Sequence, residues 1–166
     1  MSSSAYLDAL RDVLGGVVEP FVPMITMTVY YGTNKLTNGR ELNVSMVKAT
    51  PRVLIGGNPD ELYTLVMIDP DAPNPNEPEI VTNIPGGKSC AEGTEFVSYE
   101  GPNPHIGIHR YMLILYKQRA SLNDIETLES RVHFRVRAFA REHNLGNPVG
   151  IAYYNVRRLT KKKTKA

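Results

Sequence analysis

The order of apolar and polar residues along the chain predicts a protein built mainly from short strands. Residues 62–68 form an almost unbroken apolar run, which is typical of a strand buried on both faces. Residues 24–31 instead alternate between apolar and polar, which predicts a strand with one buried face. Shorter apolar runs bounded by Gly, Pro or Asn predict further strands at residues 51–55, 79–84, 94–99, 111–116 and 149–156.

Two amphipathic helices are predicted near the ends of the chain. Apolar residues recur at helical spacing over residues 6–14, and a glycine pair follows them. Further on, Ser121 and Asp124 resemble a capping box, and helical spacing continues to a stop signal at residues 144–148. No internal repeat or linker interrupts the pattern, so residues 1–166 are expected to form one domain. The predicted fold class is mainly β, an antiparallel β-sandwich with short peripheral helices near the N- and C-termini.

Composition and charge narrow the class of protein. The chain is 42% hydrophobic and 22% charged, as expected of a globular domain, and its formal net charge of +2 is too small to favour nucleic-acid binding. Residues 158–166 are strongly basic and are expected to form a solvated tail, with a nuclear address or a contact to an anionic partner as the alternatives. The single cysteine, Cys90, excludes an internal disulfide and fits a reducing compartment. No signal peptide or membrane span is predicted.

Candidate chemistry lies where apolar strands meet rigid, proline-containing loops. Asp69 and Asp71 follow the run at residues 62–68, and each is followed closely by a proline. His109 stands between a Pro/Gly-rich loop and the apolar strand at residues 111–116. If these two strand ends share one pocket, the imidazole can donate to an anion while a carboxylate orients it. The alternative for each residue is a structural role, in a turn for the aspartates and in the core for the histidine.

Two motifs at these strand ends resemble a known family. The sequences YTLVMIDPDAP (residues 63–73) and GIHRY (residues 107–111) are similar to the two signature motifs of the phosphatidylethanolamine-binding protein family, in the same order. Further segments resemble the plant branch of that family, at residues 31–32, 36–39, 51–53, 83–87 and 145–149. Within that branch, residues 60–62 and 71–73 look most like the MOTHER OF FT type, and less like florigen or TERMINAL FLOWER.

The resemblance implies a non-enzymatic β-sandwich with a small anion pocket and no cofactor or metal. The positions that match the family's pocket are Asp69, Pro102, Pro104, Gly107, His109 and Tyr111, with the glycine allowing close approach. Family members place a charged and aromatic segment, ending in a histidine–aromatic pair, between the DPDAP loop and the strand before NIPGG. In this chain Pro78 is followed almost at once by that strand. One donor and one pocket wall are therefore missing, and we expect anion binding to be weaker by about 1–3 kcal/mol.

The resemblance also implies partners. Plant members of the family are regulators that contact 14-3-3 adaptors and, through them, bZIP transcription factors. Of the florigen contacts, Arg52 and Pro85 match, whereas Glu92 stands where an aromatic residue is expected and the basic position beyond Gln118 is ambiguous. The chain is thus expected to be a monomeric regulator of the cytoplasm and nucleus, linked to seed germination, dormancy or flowering-type control.

Two other functions compete with this interpretation. The first is a protein whose main role is to bind a phospholipid head group or another phospho-ligand in the pocket. The second is a hydrolase that uses Asp69 and His109 as an acid–base pair. The hydrolase is disfavoured because no serine or cysteine stands in a recognisable nucleophile motif, and Cys90 has no histidine near it in sequence.

Overall fold

A computed structural model of the protein describes residues 14, 17–69, 78–99, 107–123 and 135–158, and it describes residue 158 by its backbone alone. The elements with described bounds are β1 (Met27–Tyr31), β2 (Asn34–Lys35), β3 (Glu41–Asn43), β4 (Arg52–Ile55), β5 (Leu62–Ile68), β6 (Glu79–Pro85), β7 (Thr94–Val97), β8 (Gly107–Lys117), α1 (Val136–Glu142) and β9 (Gly150–Arg158). Two short 3₁₀ helices lie at Val44–Val47 and Cys90–Glu92.

The strands form two sheets, which confirms the predicted mainly β fold. The smaller sheet has the order β2-β1-β4, and the larger has the order β3-β9-β8-β5-β6-β7. All neighbouring strands are antiparallel except β3 and β9, which run parallel with Leu42 opposite Val156. The sandwich is thus mainly antiparallel, as predicted, and this parallel pair is a detail that the sequence did not indicate. β3 has only three residues, two of them exposed, so no apolar periodicity marks it in the sequence.

The larger sheet is buried on both faces at its centre. On one face, Tyr63, Leu65 and Met67 of β5 belong to a core that also includes Val29 and Val53 of the smaller sheet. On the other face, Val66 packs in a second core with residues from the N-terminal segment and α1, among them Leu14, Val18 and Phe139. Successive residues of a strand point to opposite faces, so a strand covered on both sides must be apolar throughout. This explains the unbroken run that the sequence analysis singled out.

Several element bounds differ from the predicted ones. The strand predicted at residues 111–116 begins earlier, at Gly107, and the last strand extends to Arg158, which had been assigned to the tail. The described part of the second predicted helix is α1, whose buried residues are Val136, Phe139 and Ala140. Of the first predicted helix the structure describes Leu14, which is helical and buried. The rest of that helix, the predicted cap at Asp124 and residues 159–166 lie outside the described residues.

Candidate functional site

Asp69 and His109 meet at one edge of the larger sheet. β5 and β8 are antiparallel neighbours with Ile68 opposite Met112, so the end of β5 lies beside the beginning of β8. Asp69 follows β5 directly, whereas His109 lies within β8, opposite Val156 of β9, and not before the strand as predicted. His109 Nδ1 is 3.0 Å from Asp69 Oδ2, and the two side chains are only 13% and 14% exposed. The predicted pairing of these side chains is therefore present in the fold.

This contact determines what the imidazole can offer a ligand. A carboxylate beside Nδ1 favours a hydrogen on that nitrogen, which leaves Nε2 as the second functional atom of the ring. In a neutral ring Nε2 accepts a hydrogen bond, and in an imidazolium ring it donates one. The pair can thus position a single donor toward an anion when His109 is protonated. The pair is therefore suited to bind an anion through one oriented imidazole N–H group.

A ladder of tyrosines supports the site from within the sandwich. The rings of Tyr111 and Tyr154 stack with centroids 5.6 Å apart, and Tyr154 meets Tyr31 edge-on at 5.4 Å. The hydroxyl oxygens of Tyr31 and Tyr154 are 2.7 Å apart, and the Tyr99 hydroxyl donates to the Val47 carbonyl. Burial raises the pKa of Tyr99 to about 12, so this hydroxyl keeps its proton at neutral pH. Tyr111, predicted as a pocket residue, joins the site to this rigid stack.

Glu79 is a buried residue of this region that the sequence analysis missed. It opens β6 opposite Met67, on the same face of the sheet as Asp69, and is 8% exposed. Its Oε2 atom has no hydrogen-bond partner among the described residues. Burial, with a smaller contribution from the Glu95 charge, raises the pKa of Glu79 to about 7. The sequence did contain a signal for this burial, because Glu79 is two residues before Val81 and therefore lies on the same, buried face of the strand.

Cys90 lies near the Glu79 carboxyl group, in surroundings that make its thiol a poor nucleophile. Burial, helped by the charge of Glu79, raises the pKa of the Cys90 thiol to about 12. A thiol with so high a pKa carries almost no thiolate at neutral pH, and the thiolate is the nucleophilic form. The prediction that Cys90 is not a nucleophile agrees with this environment.

The structure describes only some of the other predicted pocket residues. Pro102, Pro104 and Asp71 lie outside the described residues. Gly107 is described, with a φ of +88°, and a Cβ placed on it would have nothing within 4 Å. Glycine is therefore favoured there by its left-handed backbone, and the close approach expected at the pocket stays a prediction.

The two predicted partner contacts lie on neighbouring elements. Arg52 is exposed on β4, and its guanidinium lies 4.7 Å from the centroid of the Tyr30 ring. Pro85 ends β6, and the segment after it returns to β4, where Ser89 pairs with Leu54. Glu92, at the position where an aromatic contact was expected, is exposed in the second 3₁₀ helix. A short, well-supported surface thus connects Arg52 with the segment that follows Pro85.

Two further features bear on the class of protein. Among the residues described, no group of three or more His, Cys, Asp or Glu side chains could hold a metal ion. Within the same residues, no helix is both long enough and apolar enough to cross a membrane.

Comparison with known proteins identifies the family. Residues 30–155 match the family model described as phosphatidylethanolamine-binding protein, which is well over half of the chain. The chain therefore belongs to the phosphatidylethanolamine-binding protein family, as its two motifs suggested.

The relatives include plant proteins. The chain is 44% identical to Protein MOTHER of FT and TFL1 homolog 2 of Oryza sativa subsp. japonica. The alignment of 155 residues covers 88% of this chain and 89% of the relative. It is also 44% identical over 156 residues to Protein TERMINAL FLOWER 1 of Arabidopsis thaliana, covering 89% and 88%. Among solved structures, one titled "CG7054 solution structure" shares 30% identity and a TM-score of 0.66, over 88% of this chain and 92% of that one.

Proposed function

We propose that this protein is a non-enzymatic regulator of the plant type, which acts by protein–protein contacts in developmental signalling such as seed germination, dormancy or flowering control. The identity of 44% to two plant relatives, one of them named for a terminal flower, carries this proposal. The proposed partner is a 14-3-3 adaptor that holds a phosphorylated bZIP transcription factor. The proposal includes a location in the cytoplasm and nucleus, where such partners would act.

The surface around Arg52 supports a partner contact. The guanidinium is exposed, and its position over Tyr30 limits the side-chain freedom that binding would otherwise remove. Arginine is also enriched among the residues that dominate protein interfaces, since its planar fork can donate several hydrogen bonds at once. Pro85 adds a rigid backbone at the end of β6, beside the segment that pairs with β4.

Complex formation with a 14-3-3 dimer tests this function. The purified protein is mixed with a 14-3-3 dimer and a phosphorylated bZIP peptide, and the mixture is separated by size-exclusion chromatography. We expect a ternary complex that is lost or strongly reduced for Arg52→Ala. Co-elution that is absent for the unmodified chain, under conditions where a florigen-type relative forms the complex, would argue against the proposal.

A second candidate function, binding of a phospho-ligand in the pocket, is favoured by the Asp69–His109 pair. Both side chains keep a small exposed fraction, so a ligand can reach the ring. Against it stand the missing donor after Pro78 and the buried Glu79 carboxyl, which repels anions whenever it is ionised. We therefore rank this function second.

Titration with O-phosphoserine or phosphoethanolamine, followed by the NMR signals of the His109 ring, tests this second function. A dedicated ligand pocket should give saturable shifts of the His109 ring that Arg52→Ala leaves unchanged, and His109→Ala should abolish ligand binding altogether. If the unmodified and folded protein shows no saturation, the pocket does not serve as a ligand site and the second function is excluded.

A further inference from the structure

A cleft on the opposite face of the larger sheet carries three arginines. Its volume is about 390 Å³, within the size range of small-ligand pockets. His109 and Tyr111 lie on one face of β8, whereas Tyr116 lies on the other face and lines this cleft. The cleft is therefore separate from the Asp69–His109 site. Its lining includes Arg119, Arg137, Arg141 and a single carboxylate, Glu19.

Most of the positive charge in this cleft is unpaired. Arg137 Nη2 lies 3.4 Å from Glu19 Oε1, in an exposed pair that contributes little binding energy. Arg119 and Arg141 pair with no residue in the part of the chain that the structure describes. The neighbouring Lys117 differs, because its Nζ lies 2.9 Å from the Glu61 carboxylate. Two guanidinium groups are thus available to a ligand, with a third held beside them.

The backbone that carries these arginines is well fixed. Arg137 and Arg141 are four residues apart on α1 and so project from the same side of the helix. The Arg137 Nε donates to the Val17 carbonyl, which ties α1 to the N-terminal segment. Arg119 follows Gln118, whose buried amide makes hydrogen bonds to Thr64, Asn83 and Ala120. Anchors that are already ordered lose less freedom when a ligand binds.

We propose that this cleft binds a phosphate monoester with an apolar organic part. Guanidinium groups match the oxygens of a phosphate in a forked geometry, and two unpaired guanidinium groups balance its two charges. The remaining lining offers the apolar surface that the organic part requires, from Val18, Tyr116, Ala140 and Pro148. Neither the Asp69–His109 pair nor the Arg52 surface takes part.

The test uses phenyl phosphate as the probe and the full-length His109→Ala chain as the protein, so that the other candidate site cannot contribute. We expect saturable shifts of the backbone amides of Gly146 and Asn147, which line the cleft. Arg119→Gln and Arg141→Gln should each weaken binding by about threefold to tenfold, because each removes a charge-assisted contact at a partly exposed site. Inorganic phosphate should bind about threefold or more weakly than phenyl phosphate, since it lacks the apolar part.

Arg40→Gln is the matched control, because Arg40 is an exposed arginine outside the cleft. It should leave the affinity for phenyl phosphate unchanged. An equal loss of affinity in Arg40→Gln and Arg141→Gln would show general charge attraction and overturn the proposal. Absence of saturation in the folded His109→Ala chain would overturn it as well, and neither result bears on the 14-3-3 experiment.

Discussion

Glu79 is a buried residue, 8% exposed, and its Oε2 atom has no hydrogen-bond partner among the described residues. Burial raises its pKa from the ordinary value of 4.5 to about 7. The surroundings of Glu79, more than its residue type, therefore decide which charge this side chain carries inside the sandwich.

Glu79 makes stability depend on pH with a sign that follows from its raised pKa. Because the pKa is higher in the folded state, folding takes up a proton between about pH 4.5 and 7. The proton on Glu79 makes its full contribution to the free energy of unfolding below pH 4.5. This contribution decreases as the pH rises toward 7, by about 3 kcal/mol at most. Glu79→Gln should therefore be more stable than the unmodified protein at pH 8 and similar to it at pH 4, as measured by urea unfolding.

Glu92→Gln is the control for this measurement. Glu92 is exposed, and its replacement by glutamine removes the same charge as Glu79→Gln does. Its unfolding free energy should follow that of the unmodified protein at both pH values. If the curves for Glu79→Gln and the unmodified protein stay parallel from pH 4 to pH 8, Glu79 does not titrate as described.

Elements with a strong apolar pattern were predictable, and elements defined by long-range contacts were not. The period of β1 and the apolar run of β5 reflect which faces are covered, so the sequence alone indicated both. The pairing of β3 with β9 joins residues more than a hundred positions apart, and no local signal encodes it. Asp69 and His109 were expected to share a site because the sequence placed both at strand ends, although His109 lies within β8. Glu79 was missed because its strand was considered without its neighbours.

Gln118 connects several elements and offers a prediction at this scale. Its Oε1 accepts from the Thr64 hydroxyl at 2.7 Å and from the Asn83 backbone N–H at 2.8 Å, which joins the end of β8 to β5 and β6. Replacing it by leucine leaves these buried donors without an acceptor. Gln118→Leu should lower the free energy of unfolding by about 2–4 kcal/mol in urea titrations.

Lys35→Leu is a suitable control for Gln118→Leu, because it introduces the same side chain at an exposed position on β2. It should change stability by about 0.5 kcal/mol or less. A Gln118→Leu protein as stable as this control would mean that the hydrogen-bond network does not hold β5, β6 and β8 together.

The whole molecule carries three candidate surfaces, two on the larger sheet and one on the smaller sheet. The Asp69–His109 pair lies at the edge of the interior face, the arginine cleft lies on the face covered by α1, and Arg52 lies on the smaller sheet. Because these surfaces share no residue, substitutions at one should leave the others intact. We rank the Arg52 surface as the one that serves the protein's regulatory role, and the pocket as secondary.

The most direct test of that ranking is the affinity of the protein for a 14-3-3 dimer, measured by isothermal titration calorimetry for the unmodified chain, Arg52→Ala and His109→Ala. We predict that Arg52→Ala weakens binding about tenfold or more, as expected for a central interface arginine, and that His109→Ala binds like the unmodified protein. Equal affinities for Arg52→Ala and the unmodified chain, or a loss of affinity confined to His109→Ala, would contradict this prediction.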